Sequence, residues 1–97
     1  MTGITRTSAG LDSRRKRLLF QAWHRGMREM DLLLGRFADS KIESMTGSEL
    51  DRFEALMGWP DPEVFAWICG DAPIPDEVDA VLVRRIADFQ KEFGASA

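Results

Sequence analysis

The stretch LLFQAWHRGMREMDLLL, residues 18–34, decides the fold, because a helical repeat of apolar residues is interrupted at its centre and then resumes. On either side of the interruption the apolar residues recur at spacings of three and four, the period of an amphipathic helix. Gly26 lies at the interruption, and five titratable side chains surround it between residues 24 and 31. A glycine in such a position is typical of a helix end. The stretch therefore predicts two helices joined by a short turn.

The same period continues along the chain and predicts five helices in all. Four of them have approximate bounds of 13–25, 27–42, 46–57 and 62–69, and the last follows Pro75 and Asp76 and extends to Phe93. Residues that favour helix termini mark their ends: Ser13 as N-cap, Thr46 with Glu49 as a capping box, Pro62 in a first turn, and Gly58 and Gly70 as stops. Gly35 is expected to weaken the middle of the second helix.

One face of each predicted helix carries the residues expected in the core. They are Leu18, Leu19, Ala22, Trp23, Met27, Met30, Leu33, Leu34, Phe37, Ile42, Leu50, Phe53, Leu56, Met57, Val64, Phe65, Ile68, Val78, Val81, Leu82, Ile86, Phe89 and Phe93. Tyrosine is absent and the Val and Ile residues are scattered, so no segment has a strand pattern. With short connections, the chain is predicted to be all-α, a small single-domain five-helix bundle over residues 13–97, after a flexible N-terminal tail over residues 1–12.

Composition excludes several classes of protein. A chain of 97 residues with 44% hydrophobic and 30% charged residues is typical of one soluble globular domain. No apolar run approaches the roughly 20 residues that cross a bilayer, so a membrane protein is not expected. The single cysteine, Cys69, allows no intramolecular disulfide, which fits a reducing compartment. The first residues lack an apolar signal region and are few for an organellar import signal, which favours the bacterial cytoplasm over the mitochondrial matrix.

The residues offer little for catalysis or metal binding. His24 is the one histidine and Cys69 the one cysteine, so a metal site would lack its usual nitrogen and sulfur ligands. A nucleophilic pair of Cys69 and His24 is conceivable, but a lone cysteine on a short apolar helix is more often a packing residue. No glycine-rich phosphate loop is present. Neither a catalytic residue, a metal nor a cofactor of its own is expected.

The basic run Arg14–Arg17 suggests phosphate binding, which would weaken steeply with salt. The sequence pI of about 5.1 and the absence of a nucleic-acid-binding signature argue against it. Residues 1–36 nevertheless carry eight Lys or Arg against three acids, whereas residues 37–97 carry five against thirteen. This asymmetry can steer a partner, or it can hold two parts of one domain together.

Three tryptophans are many for a chain of this length. Trp23, and with it Trp67, is expected in the core, where a large ring fills space and its indole N–H needs a partner. Trp59 lies between Gly58 and Pro60 in a predicted loop, so both packing and exposure for binding stay open.

The charges around Gly26 have two interpretations. Arg25 would lie in the last turn of the first helix, and Glu29 and Asp31 near the start of the second, where each charge suits the helix dipole. Alternatively, two arginines and two carboxylates around a residue without a side chain form a surface that another backbone can approach closely. Physical reasoning alone does not separate the two.

The segment RGMREMD resembles the Arg-Gly-x-x-Glu motif of the succinate dehydrogenase assembly factors, small bacterial and mitochondrial proteins that promote covalent attachment of FAD to the flavoprotein subunit. The similarity continues through an aromatic residue shortly before the motif and through MDLLLGRF, TGSELDRFEALM and DPEVFAW, ahead of a long last helix. It covers approximately residues 13–93 in the same order.

The resemblance implies a five-helix bundle that docks on a client flavoprotein. Arg25, Gly26 and Glu29 match the motif and would form the docking surface, with Met27, Arg28 and Asp31 beside them. The new bond joins a client histidine to the flavin, so the factor needs no nucleophile. The implied client is the flavoprotein subunit of succinate dehydrogenase, with fumarate reductase as a second candidate. Some members have been described as antitoxins, which leaves that function, or nucleic-acid binding through Arg14–Arg17, as the alternative.

Overall fold

The structure, a computed structural model, describes residues 10–95. Five α-helices follow one another: α1 (Ser13–Trp23), α2 (Arg28–Lys41), α3 (Gly47–Met57), α4 (Asp61–Cys69) and α5 (Ala80–Ala95), with a 3-10 turn at Ile42–Ser44. None of the residues in this range forms a strand. The prediction of an all-α five-helix fold is therefore confirmed. The α1 helix packs chiefly on α2, while α5 packs on α2 and α4.

The helix ends agree with the sequence signals at most positions. Thr46 and Glu49 form the expected capping box, with the Thr46 N–H donating to the Glu49 carboxylate at 2.8 Å. Gly70 ends α4 in the left-handed conformation at φ +81°. The predicted cap of α1 is wrong, because Asp12, and not Ser13, accepts the Arg15 N–H at 2.9 Å.

The N-terminal boundary and the start of α5 also differ from prediction. Leu11 is only 9% exposed, so it belongs to the core, and with the cap Asp12 it lies inside the predicted tail. The flexible tail stays a prediction for residues 1–9, which lie outside the described part of the chain. The α5 helix begins at Ala80, because the Asp79 carboxylate accepts the N–H groups of Val81 and Leu82 at 3.1 and 3.2 Å.

The core is centred on Phe37 and Phe53, both fully buried, with ring centroids 6.1 Å apart. The predicted core was wrong at Val81, whereas Phe65 and Ile68 pack against the core as partly buried residues. Val81 is 65% exposed while Val83 is buried, because residues about 100° apart on a helix cannot all face one side. In α4 the buried large side chain is Trp67, and Phe65 and Ile68 are only partly buried. The side chain of Phe93 lies outside the described residues.

Gly35 of α2 lies against the Trp23 side chain at the end of α1. It is buried, and a Cβ atom built on it would lie 2.3 Å from Cδ2 of Trp23. The Trp23 indole therefore lies directly on the backbone of α2, and its Nε1 has no hydrogen-bond partner among the described residues. Gly35, which the sequence predicts to weaken α2, is thus the position where α2 packs against Trp23. Because Trp23 is the last residue of α1, this contact also fixes where the chain leaves that helix.

Candidate functional site

The turn between α1 and α2, together with the first turn of α2, forms the corner of the molecule, residues 24–31. Gly26 lies at its tip with φ +94°, a left-handed conformation that side chains rarely adopt. A Cβ atom at this position would have no neighbour within 4 Å, so the surrounding space is open. The backbone conformation therefore favours glycine here, and the tip of the corner is accessible to another molecule.

The side chain of Arg25 points away from the tip and toward the connection between α3 and α4. Its side chain is 13% exposed. Nε donates to Oδ1 of Asp61 at 2.8 Å, and Nη1 donates to the carbonyl of Met57 at 2.7 Å. Nη2 lies 3.2 Å from the carbonyl of Trp59. The prediction that Arg25 lies in the last turn of α1 is wrong, because α1 ends at Trp23 with His24 as its C-cap.

Asp31 closes the corner from the other side. Its Oδ1 accepts the backbone N–H of Arg25, six residues earlier, and its own N–H donates to the carbonyl of Met27 at 2.9 Å. Asp31 lies in the first turn of α2, as predicted, where a carboxylate suits the positive end of the helix dipole. The corner backbone is therefore held at both ends, by Asp31 within α2 and by the Arg25 side chain across the bundle.

The remaining predicted site residues face outward. Gly26, Arg28 and Glu29 are exposed, and Met27 is half-buried against the core. Within residues 10–95, the side chains of Arg28 and Glu29 form no hydrogen bond or ion pair. The structure thus divides the six predicted residues into two sets: Arg25 and Asp31 hold the corner by internal bonds, and the others present a surface with both signs of charge.

An exposed aromatic residue, Phe20, borders the corner and was not identified from the sequence. It is 60% exposed and stacks on the His24 imidazole with ring centroids 4.0 Å apart. Nδ1 of His24 lies 2.7 Å from the Phe20 carbonyl, which fixes the imidazole on the ring. The sequence held one signal for this exposure, since Phe20 lies off the apolar stripe of α1. An open cleft of about 570 Å³ lies on the same side, lined by Gln21, His24, Arg25, Glu54, Met57 and Gly58.

Other candidate residues from the sequence do not assemble into a reactive site. Cys69 is exposed at the end of α4, so the interpretation that it packs in the core is wrong. His24 is engaged with Phe20. No group of three potential metal ligands occurs among the residues that the structure describes. In that same range, no helix is long and apolar enough to cross a membrane.

The basic run Arg14–Arg17 is largely engaged with the rest of the chain. Arg14 donates to Asp51 at 2.6 Å and to Glu54 at 3.0 Å, and these two hydrogen bonds, that to Asp51 first, raise its pKa. Nε of Arg15 donates to the carbonyl of Ile42 at 2.9 Å, and Arg17 pairs with Glu54 at 3.2 Å. The charge asymmetry of the sequence therefore joins the basic α1 to the acidic α3, which leaves fewer cations for phosphate.

Trp59 takes an intermediate position between packing and exposure. It is half-buried, and its ring lies edge-to-face on Trp67, with centroids 5.5 Å apart and planes at 75°. Its carbonyl is the acceptor that Arg25 contacts. Trp59 therefore belongs to the connection that the corner is tied to.

The chain matches a family model and several known proteins. A family model, Sdh5, described as flavinator of succinate dehydrogenase, matches residues 16–90. The chain is 40% identical over 78 residues to the FAD assembly factor SdhE of Acetobacter pasteurianus, covering 80% of this chain and 72% of that protein. It is 40% identical over 76 residues to a mitochondrial succinate dehydrogenase assembly factor 2 of Dictyostelium discoideum, covering 78% of this chain and 54% of that protein.

A third relative, the mitochondrial succinate dehydrogenase assembly factor 2 of Candida glabrata, is 33% identical over 92 residues, 91% of this chain and 60% of that protein. The chain thus spans only somewhat more than half the length of these mitochondrial relatives. No solved structure gives a significant match.

Proposed function

The chain belongs to the family of succinate dehydrogenase flavinators, and on that premise we propose that it binds the immature flavoprotein subunit of succinate dehydrogenase and promotes covalent attachment of FAD to a client histidine. The observation that carries the proposal is the corner: an exposed glycine tip, flanked by unpaired charges of both signs, on a backbone held at both ends. We further propose fumarate reductase as a second client and the bacterial cytoplasm as the location.

The corner is suited to docking a larger protein. Gly26 allows a client backbone to approach closely, because no side chain stands between them. Arg28 and Glu29 can each form a charge-assisted hydrogen bond, and opposite signs in adjacent positions fix the orientation of the partner. Phe20 offers an apolar ring beside them, of the kind that anchors interfaces when it becomes buried.

The chain would act by binding and not by chemistry of its own. The described residues bring no nucleophile and general base together, so the bond between client histidine and flavin would form within the client. A ligand shifts a conformational equilibrium by its preference for one state. A factor that binds best when the client histidine lies against the flavin ring would raise the population of that arrangement and thereby the rate of attachment. The chain is thus proposed to be an assembly factor without a catalytic residue or a bound cofactor.

The test replaces Gly26 by arginine and uses Gly70 as the matched control. Both glycines are exposed, have φ near +90°, and have open space where a Cβ would lie, so both substitutions strain the backbone alike. Gly26→Arg is expected to abolish client capture and covalent flavin in the client, while Gly70→Arg retains both. Circular dichroism checks that each variant stays helical. Normal flavinylation with Gly26→Arg, or equal loss with both variants, would contradict the proposed docking surface.

A further inference from the structure

We infer that Arg25 is a positioning residue for the docking corner and not a client contact, and that Asp61 is the partner through which it acts. The inference rests on the proposed function, since it assigns roles within the same docking surface. It adds one residue, Asp61, that lies 36 positions away in the chain and outside the motif. It also assigns Arg25 the role of orienting the corner, whereas the resemblance implies that this arginine contacts the client.

The Arg25 guanidinium joins three separate parts of the fold. Its backbone belongs to the turn between α1 and α2. Its side chain reaches the carbonyl of Met57, the last residue of α3, and the carboxylate of Asp61, the first residue of α4. Two nitrogens, Nε at 2.8 Å and Nη2 at 2.7 Å, converge on the same Asp61 oxygen. One side chain therefore fixes the corner relative to both neighbouring helices.

Arginine is suited to this task in a way that lysine is not. Its planar guanidinium presents N–H donors at fixed angles, so one group can serve a carboxylate and two carbonyls at once. A lysine ammonium has three donors on a flexible stem and is a compact point charge. The nitrogens of Arg25 donate to three separate residues of the connection between α3 and α4: Met57, Trp59 and Asp61. The arrangement thus accounts for an arginine without invoking a partner molecule.

Burial of the ion pair supports an internal role. The side chains of Arg25 and Asp61 are each 13% exposed, far less than those of Arg28 and Glu29, which are exposed. A client carboxylate that took the place of Asp61 on the guanidinium would leave a partly buried carboxylate unpaired, which is costly. The exposed Arg28 is available without that cost. Geometry therefore assigns recognition to Arg28 and support to Arg25.

Among the described residues of the corner, Arg25 alone forms side-chain hydrogen bonds to the connection between α3 and α4. Gly26 contacts no atom where its Cβ would lie, and the backbone of Arg25 is held by Asp31 of the same hairpin. The Arg25 side chain is thus the bond that orients the tip relative to α3 and α4. Loss of Asp61 should let the corner tilt while the helices stay folded.

The experiment measures affinity for the cofactor-poor flavoprotein subunit of succinate dehydrogenase, by calorimetry, with Arg25→Ala, Asp61→Ala, the double variant and Asp61→Asn. We expect each alanine variant to lose about 10-fold in affinity, a size typical of residues that act on a binding site without touching the partner. The affinity of the double variant should lie within about threefold of that of either single variant, because both changes remove the same Arg25–Asp61 pair. Asp61→Asn keeps the shape of the side chain and loses its charge, so its client affinity should lie between those of Asp61→Ala and the parent.

A control and a second readout separate positioning from simple destabilisation. Asp51→Asn breaks another interhelical pair, with Arg14, and should leave client affinity unchanged. All variants are measured well below their unfolding temperatures, with helix content matched to the parent. Amide NMR signals of Gly26, Arg28 and Glu29 should shift in Asp61→Ala, and Asp61→Glu should restore part of the affinity.

The inference is overturned if Asp61→Ala and Asp61→Asn bind the client with the affinity of the parent. It is also overturned if they bind the client more tightly, because the freed Arg25 guanidinium would then be a client contact. Additive losses in the double variant would overturn it as well. If Gly26→Arg leaves docking intact, the proposed function itself is wrong. If client affinity is lost with Gly26→Arg but not with the Asp61 variants, only the positioning role of Arg25 and Asp61 is refuted.

Discussion

Gly35→Ala tests the packing between α1 and α2 most directly. The new Cβ would lie 2.3, 2.5 and 2.8 Å from three atoms of the Trp23 ring, whereas ordinary carbon contacts are about 3.5–4.0 Å. The ring would have to move by about 1 Å or more, or the helices would have to separate. Overpacking of this kind lowers the free energy of unfolding by about 3 kcal/mol, the upper end of the usual range. The better helix propensity of alanine raises it by about 1 kcal/mol.

We therefore expect Gly35→Ala to lower the free energy of unfolding by about 2 kcal/mol, which corresponds to a fall of about 8–16 °C in Tm for a domain of this size. Urea and thermal denaturation followed by circular dichroism measure both quantities. Gly47→Ala is the control, because a Cβ there meets nothing within 4 Å, and it should be neutral or slightly stabilising. Combining Gly35→Ala with Trp23→Phe should recover part of the loss. A Gly35→Ala variant as stable as the parent would refute the reasoning.

Three further predictions concern the first helix, the corner and acid stability. Asp12→Ala should lower the free energy of unfolding by about 1 kcal/mol through loss of the α1 cap, as seen in urea denaturation. Phe20→Ala should weaken client binding by about 10-fold in calorimetry without changing Tm, whereas Val81→Ala, at another large exposed apolar residue, should change neither. The backbone hydrogen bond from Thr46 lowers the pKa of Glu49, so its contribution to stability is present above the ordinary value of 4.5 and is lost as the pH falls through the lower folded value. Urea midpoints at neutral and acidic pH should therefore show a smaller acid-induced loss for Glu49→Gln than for the parent; an equal loss would contradict this.

Local signals predicted much of the fold. The capping box at Thr46, the glycine after α4 and the three-and-four spacing of α2 depend on residues close in sequence, and the structure confirms each of them. The errors arose where local patterns were ambiguous. The run Val81, Leu82, Val83 offers apolar residues in three successive directions, so spacing alone could not decide which of them is buried.

The sequence predicted the turn that carries the candidate site, but not the partners of the residues in it. The turn at Gly26 and the position of Asp31 in the first turn of α2 followed from neighbouring residues. The partners of Arg25 could not be predicted, because Met57, Trp59 and Asp61 lie 32–36 residues further along the chain. Contacts at such separation depend on how helices pack, which periodicity does not specify.

The edge-to-face pair of Trp59 and Trp67 gives the molecule an optical reporter that needs no label. Arg25 holds the carbonyl of Trp59, and Trp23 ends the helix that leads into the corner. All three tryptophans of the chain therefore lie on or beside elements that the corner is bonded to. Intrinsic emission should consequently follow the arrival of a client or the loosening of the turn in real time, in a mixing experiment with the unmodified protein.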